Sequence, residues 1–198
     1  MLLAGLLAET RAADRRAAVA VASAPVRAEA EALVPVPGAA GWTAGGRDGL
    51  PPEAAICRTA GSPAILLLGA PPHAEGTAQV RVWTAPGGEE GAGLVFRWRD
   101  PQDYYLARLN TRTNGLRLFR HEGGQTTLLA GWDLPIPVGL WHTLAVRVGQ
   151  GRVEVALDGE PLLAGEDASW VGQGLGLWVG SETRACFGAV RLAPAVND

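Results

Sequence analysis

The stretch F-R-W-R-D-P-Q-D-Y-Y-L-A-R-L-N at 96–110 constrains the fold more than any other part of the chain, because it reads as two strands joined by a proline-marked turn. Ahead of the turn, Leu94, Phe96 and Trp98 share one parity, and Val95, Arg97 and Arg99 share the other. On a pleated strand this makes one face apolar and the opposite face cationic. After Asp100-Pro101-Gln102-Asp103 the alternation resumes, with Tyr104, Leu106, Arg108 and Asn110 on one side and Tyr105, Ala107 and Leu109 on the other. Two alternating runs flanking a turn of this composition predict a β-hairpin.

The same grammar continues on both sides. Short half-apolar runs occupy 54–59, 64–68, 78–84, 94–99, 104–110, 116–121, 126–130, 143–149, 152–158, 161–164, 175–180 and 185–192. Turn signals separate nearly every pair, among them Thr113-Asn114-Gly115, Glu122-Gly123-Gly124, Gly149-Gln150-Gly151 and Asp158-Gly159. The Gln150-Gly151 and Asp158-Gly159 pairs suit tight hairpins, where glycine takes a positive φ without steric cost. No segment holds a 3.6-residue period for three turns. So many half-apolar strands cannot all bury a face in one open sheet, and the expected fold is all-β, an antiparallel sandwich of two sheets.

A chain of 198 residues that is 47% hydrophobic can bury a full core, and one domain with a short tail is the natural count. The net charge of −3 lacks the clustered cation excess that an extended nucleic-acid surface needs. No stretch reaches the roughly 20 apolar residues of a membrane-spanning helix. All 17 basic residues are arginine, which fits an alanine- and glycine-rich codon usage better than a functional device. Oligomeric state is not readable from the sequence.

Residues 1–37 differ from the rest in being alanine-rich and turn-poor, so the sandwich is expected over 38–198. Arg15-Arg16, the weak apolar run 17–26 and the small-residue site Ala28-Glu29-Ala30 together form a candidate export signal, and the arginine pair also matches a twin-arginine leader. The alternative is a disordered start. Export would place the domain in a periplasmic or extracellular setting. Cys57 and Cys186 lie far apart and lack the spacing of a zinc site. They fall on an early and a late strand, which sandwich folds often bring together. That leaves two outcomes open, a disulfide formed on export or two unpaired small apolar residues in or near the core.

Three blocks between Gly91 and Leu192 carry a family resemblance: the hairpin G-L-V-F-R-W-R-D-P-Q-D-Y-Y-L-A-R-L-N from Gly93, W-H-T-L-A-V-R-V-G-Q-G-R-V-E-V-A-L-D-G-E-P-L-L from Trp141, and G-L-G-L-W-V-G from Gly174 with C-F-G-A-V-R-L from Cys186. In this order they resemble the concanavalin A-like lectin/glucanase superfamily, especially laminin G-like modules and the domain named for 3-keto-disaccharide hydrolases. The resemblance implies a jelly-roll sandwich with ligands held on a concave sheet face or at the loop rim. It does not imply one activity, since members bind glycans, mediate adhesion or cleave sugars. The closing block departs from the frequent Phe-Asp-Asp pattern, because Phe187 is followed by Gly188-Ala189.

Retaining glucanases of the superfamily place nucleophile and acid on alternate positions of one strand, as E-x-D-x-x-E or E-x-D-x-E, so that the carboxyls sit about 5 to 5.5 Å apart. This chain has no such motif, and Glu89-Glu90 and Glu166-Asp167 read as solvated loop pairs. Asp100 and Asp103 could coordinate calcium, but turn-forming hydrogen bonds are the simpler role; no other cofactor is indicated. His73, His121 and His142 lack a nucleophile partner for a triad, and no catalytic residue is assigned. Arg97, Arg99, Arg108 and Arg117 with Tyr104 and Trp178 are the candidate ligand-binding set, since aromatic rings stack on sugar C–H faces while arginine donates paired hydrogen bonds. Trp42, Trp98, Trp132, Trp141 and Trp170 read instead as core or edge anchors. The leading expectation is an exported, non-catalytic module for carbohydrate or another extracellular ligand. The alternatives are a glycoside hydrolase of the 3-keto-disaccharide hydrolase-like type and a structural or adhesion domain.

Overall fold

The computed structural model describes the backbone of 31–33 and residues 41–46, 49–69, 75–88, 91–166 and 172–195. The candidate export signal, His73, Glu89-Glu90, Asp167 and Trp170 lie outside the described residues. Among the described residues fifteen strands follow one another: β1 (Glu31–Leu33), β2 (Trp42–Thr43), β3 (Ile56–Arg58), β4 (Ala64–Gly69), β5 (Gly76–Thr84), β6 (Ala92–Asp100), β7 (Asp103–Asn110), β8 (Gly115–Glu122), β9 (Gln125–Asp133), β10 (Trp141–Gly149), β11 (Arg152–Leu157), β12 (Glu160–Glu166), β13 (Gly174–Val179), β14 (Ala185–Phe187) and β15 (Val190–Pro194). Among the described residues there is no helix, and so none long and apolar enough to cross a membrane.

The strands form two antiparallel sheets. One runs β12-β11-β10-β5-β14-β3-β2, with β15 beside β5 and β1 beside β15; the other runs β4-β13-β6-β7-β8-β9. The pairing of Glu31–Leu33 with Val190–Leu192 brings part of the alanine-rich N-terminal segment into the first sheet, ahead of the boundary expected at 37. Inward-facing residues alternate along most strands as the sequence pattern requires. Val80 and Val82 of β5, Leu144 and Val146 of β10 and Val153 and Val155 of β11 share one buried cluster with Leu94 and Phe96 of β6, Tyr105 and Leu109 of β7 and Leu118 of β8. Each such aliphatic or aromatic side chain contributes about 1.5–3 kcal/mol on burial, so this layer dominates the folding free energy.

Local chemistry holds the strand ends. Gln150 and Gly151 both take positive φ, as do Asp158 and Gly159, so each pair forms the two-residue turn that matches the strand twist. Asp158 also anchors the Trp-His block: its carboxylate accepts from the Thr143 amide at 2.7 Å and from His142 Nδ1 at 2.8 Å. The other ring nitrogen, Nε2, meets the Pro137 carbonyl at 2.9 Å. His142 is therefore a structural tie, with both ring nitrogens engaged.

Cys57 and Cys186 face each other across β3 and β14 and form a disulfide, the pairing that the sequence left open. The bond is buried beneath Leu50 and Ala54 and beside Trp83 and Trp141, on the side of the nine-stranded sheet away from the core. It closes a loop spanning 129 residues. Chain-entropy reasoning for a loop of that size gives about 5 kcal/mol of stabilisation, and removal of native disulfides commonly costs about 2–5 kcal/mol. Urea denaturation of the Cys57→Ser/Cys186→Ser double variant should show a loss in that range, and an unchanged midpoint would show that the bond restrains nothing in the unfolded chain.

Candidate functional site

The second face of the six-stranded sheet, turned away from the core, carries three rows of side chains that cross the strands in register. The first row reads Ile65, Trp178, Gly93, Arg108, Arg117, Gly131 from β4 to β9. The second reads Leu67, Gly176, Val95, Leu106, Phe119, Leu128. A third, shorter row near the β6–β7 turn sets Gly174 against Trp98 and Tyr104 against His121 and Thr126. With strands about 4.8 Å apart, a row across all six is roughly 24 Å long. Val95, Tyr104, Leu106 and Trp178 form a buried cluster of their own here, flanked by Ile65, Trp98 and Phe119.

The hairpin departs from simple alternation at one point. Phe96 pairs with Tyr105 and Asp100 with Asp103, so Arg97, Trp98 and Arg99 stand opposite Tyr104 alone. Arg97 takes a φ of 49° and is only 7% exposed, with its guanidinium 5.7 Å from the Tyr105 ring centre. The bulge thus withdraws Arg97 from the cationic face expected for it and turns Trp98 onto the side of Val95 and Tyr104. The expected sharing of one face by Leu94, Phe96 and Trp98 fails for the same reason. Arg99 is exposed at the strand end.

The other nominated residues fall on the outer face in different states. Tyr104 is 9% exposed because its ring is stacked on both flanks, against Trp98 at 5.3 Å and His121 at 4.2 Å between centres. Trp178 is 8% exposed. Arg108 reaches across Gly93, its guanidinium 5.7 Å from the Trp178 ring and 5.0 Å from that of Phe119. A Cβ on Gly93 would lie 2.1 Å from the Ala107 carbonyl oxygen, so this position must stay bare, and the bareness leaves the arginine its path. Arg117 stands directly opposite Arg108, an arrangement that repels like charges unless they diverge. They do diverge. Arg117 donates to the Leu116 and Trp132 carbonyls at 3.0 and 2.9 Å and to the Asp133 carboxylate.

Asp100 and Asp103 are occupied by backbone donors. Asp100 Oδ1 accepts from the Gln102 and Asp103 amides at 2.8 and 3.1 Å, and Asp103 Oδ1 accepts from the Gly123 amide at 2.7 Å. This ties the β6–β7 turn to the β8–β9 turn, a turn-forming role of the kind the sequence suggests. Among the described residues no group of three or more His, Cys, Asp or Glu side chains comes together. Glu166 ends β12 opposite Arg152 rather than sitting in a loop. Of the tryptophans, Trp42 is buried in the core, while Trp132 is half exposed on the edge strand β9. Trp141 lies half-buried on the far side of the nine-stranded sheet, with Arg81 4.5 Å above its ring and Glu53 accepting from its Nε1. A shallow cleft of about 270 Å³ at the opposite end of the sandwich is lined by Gly87, Gly88, Thr111, Arg112 and Val138, and it holds none of the nominated residues.

His121 and Phe119 belong to this face as much as the nominated residues do. The period-two spacing from Arg117 was the signal available for both. The His121 Nδ1 shares a hydrogen bond of 3.0 Å with Thr126 Oγ1, while Nε2 is buried with no partner among the described residues. Burial and, secondarily, the Arg108 charge hold its pKa below the ordinary value of 6.5. Burial alone pushes the Tyr104 hydroxyl up.

The architecture is the concanavalin A-like jelly roll. The carbohydrate-binding module CBM66 from Bacillus subtilis superposes with a TM-score of 0.64 at 22% identity, covering 77% of this chain and 96% of that one. The exoplasmic/lumenal domain of VIP36, in its Ca2+/Man3GlcNAc-bound form, gives a TM-score of 0.61 at 14% identity over 86% of this chain and 92% of its own. The GH43 protein BlXynB from Bacillus licheniformis gives 0.58 at 14% identity over 71% of this chain but only 33% of the enzyme. No protein-family model matches the sequence, and no curated protein matches it. At these identities the likeness establishes the fold.

A folded-state histidine pKa below its unfolded value contributes stability that is present above about pH 6.5 and is lost as pH falls toward the folded value. Urea midpoints of the protein should therefore drop on acidification from pH 7 through the window just below 6.5, and His121→Gln should flatten that drop. A variant with the same pH profile as the parent would show that His121 is not the group responsible.

Proposed function

We propose that this protein is an exported, non-catalytic module that binds carbohydrate on the outer face of its six-stranded sheet. The observation that carries the reading is the composition of the three rows, which set aromatic rings and a half-buried arginine on a solid apolar base and include no carboxylate. Rings of this kind stack on the C–H faces of sugars, and arginine donates paired hydrogen bonds to hydroxyl or carboxylate oxygens. Two of the structural neighbours are by name a carbohydrate-binding module and a mannoside-bound lumenal domain, which supports the same ligand class. The buried disulfide supports export, because such bonds form and persist in oxidising compartments.

The hydrolase alternative needs two carboxyl groups facing one sugar, and the rows supply none. In the binding reading Arg108 and Phe119 are the contact residues of the first two rows, while Tyr104 and Trp178 act mainly as the base that holds them. Arg117 is tied to Asp133 and serves the edge of the sheet.

A glycan array run beside a reducing-sugar release assay tests the proposal. At least one glycan should bind without release of reducing ends. Arg108→Ala and Phe119→Ala should each weaken that binding by about tenfold, the equivalent of one aromatic or charged contact of about 1.4 kcal/mol, while Glu122→Gln should leave it intact. Release of reducing sugar would favour the hydrolase. Absence of binding to every glycan would favour an adhesion or structural role.

A further inference from the structure

The bulge in β6 has a functional consequence that follows from where it sends Trp98. Against β13, Val95 pairs with Gly176 and Trp98 with Gly174, so three steps along β6 match two along its neighbour. Relative to β13 that one extra residue reverses the side on which Trp98 emerges, and a second extra residue, opposite Tyr104 of β7, restores the register at Asp100. Arg97 is the residue that absorbs the first, in the left-handed region at φ 49°. For a residue with a side chain that conformation is strained, and such strain persists where the surroundings enforce it. Burial of the Arg97 side chain over the Tyr105 ring is what enforces it here.

Gly174 completes the device. A Cβ there would lie 2.6 Å from Trp98 Cβ and 2.9 Å from its Cδ1, closer than atoms of a packed protein come. The bare position 174 thus flanks the Cβ–Cδ1 edge of the indole, and Tyr104 lies against one of its ring faces. Tyr104 has His121 on its far flank, so Trp98 and His121 are the terminal rings of a three-ring stack. Trp98 is half-buried where Tyr104 is almost wholly buried.

We infer that Trp98 is the ring that stacks on the sugar and selects among sugars at the β6–β7 end of this face, and that Arg97 and Gly174 are its positioning residues. The inference rests on the carbohydrate-binding reading and deepens it. Recognition by a single terminal ring favours pyranose units that present an unbroken C–H face, because an axial hydroxyl on that face would lift the sugar from the indole.

The test is affinity electrophoresis of the full chain in gels containing mannan, xylan or β-1,3-glucan, with thermal unfolding of each variant as a folding control. Trp98→Ala should lose about tenfold in affinity for the polysaccharide that the parent retains best. Gly174→Ala should lose affinity by a similar factor and change the order of preference among the three. Trp98→Phe, which keeps a ring at the position, should retain more of the affinity than Trp98→Ala at a similar thermal midpoint, whereas a purely structural defect would follow the midpoint instead. Arg97→Gly, which accepts the left-handed conformation, should keep the order of preference. If Trp98→Ala and Gly174→Ala bind as the parent does while Arg108→Ala does not, the assignment to Trp98 is overturned and the binding face stands. If the parent is retarded by none of the polysaccharides and by no glycan on the array, both fall together.

Discussion

Leu94, Phe96 and Tyr105 from one sheet and Val80, Val82 and Leu144 from the other must share a single dry layer, and every other feature of the molecule is arranged around that requirement. Period-two alternation gives each strand one face for the layer and one face to spare. In the nine-stranded sheet the spare face is partly covered by Leu50 and Ala54 over the disulfide, with Trp83 and Trp141 beside it. In the six-stranded sheet it carries an apolar cluster of aromatic and aliphatic side chains with Arg108 laid against two of the rings. A face built in this way is solid enough to hold rings in fixed positions and polar enough to stay in contact with water.

The arginines on that face show how cationic strand positions are tolerated. Burying guanidinium groups without compensation is costly, and each of three positions meets the cost differently. Arg97 is drawn off the face by the bulge and lies over Tyr105, Arg108 lies between two rings, and Arg117 is fixed by carbonyls and Asp133. Glycines 93 and 131 beside Arg108 and Arg117 are part of the same solution, since a side chain at either would crowd its neighbours. The acidic residues do other work: Asp100 and Asp103 lock two adjacent turns, and Asp158 anchors His142. This division of labour sets cations and rings on the sheet face and carboxylates at the turns.

Much of the fold was legible because it depends on local chemistry. The runs at 104–110, 116–121 and 152–158 are strands within a residue or two at each end, and Gln150-Gly151 and Asp158-Gly159 form the expected tight turns. Strand order and the pairing of Cys57 with Cys186 were not readable, since both depend on which strands meet across 129 residues of chain. The candidate site was legible only in outline. Arg108, Tyr104 and Trp178 do lie on one face, but their exposure was hidden, because a ring's accessibility depends on neighbours from other strands. Phe119 and His121 were within reach of the same parity argument, and Trp98 was not.

The residues alone determined that this chain is an all-β sandwich with a core of alternating apolar positions and a polar-aromatic face, because turn chemistry and period-two burial are properties of neighbouring residues. Only the tertiary structure decided which rings the outer face offers. One extra residue at Arg97, held by burial over Tyr105 and accommodated by the bare Gly174 on the next strand, reverses the side on which Trp98 emerges. No reading of one strand's alternation contains that information, because the insertion exists only relative to the strands on either side.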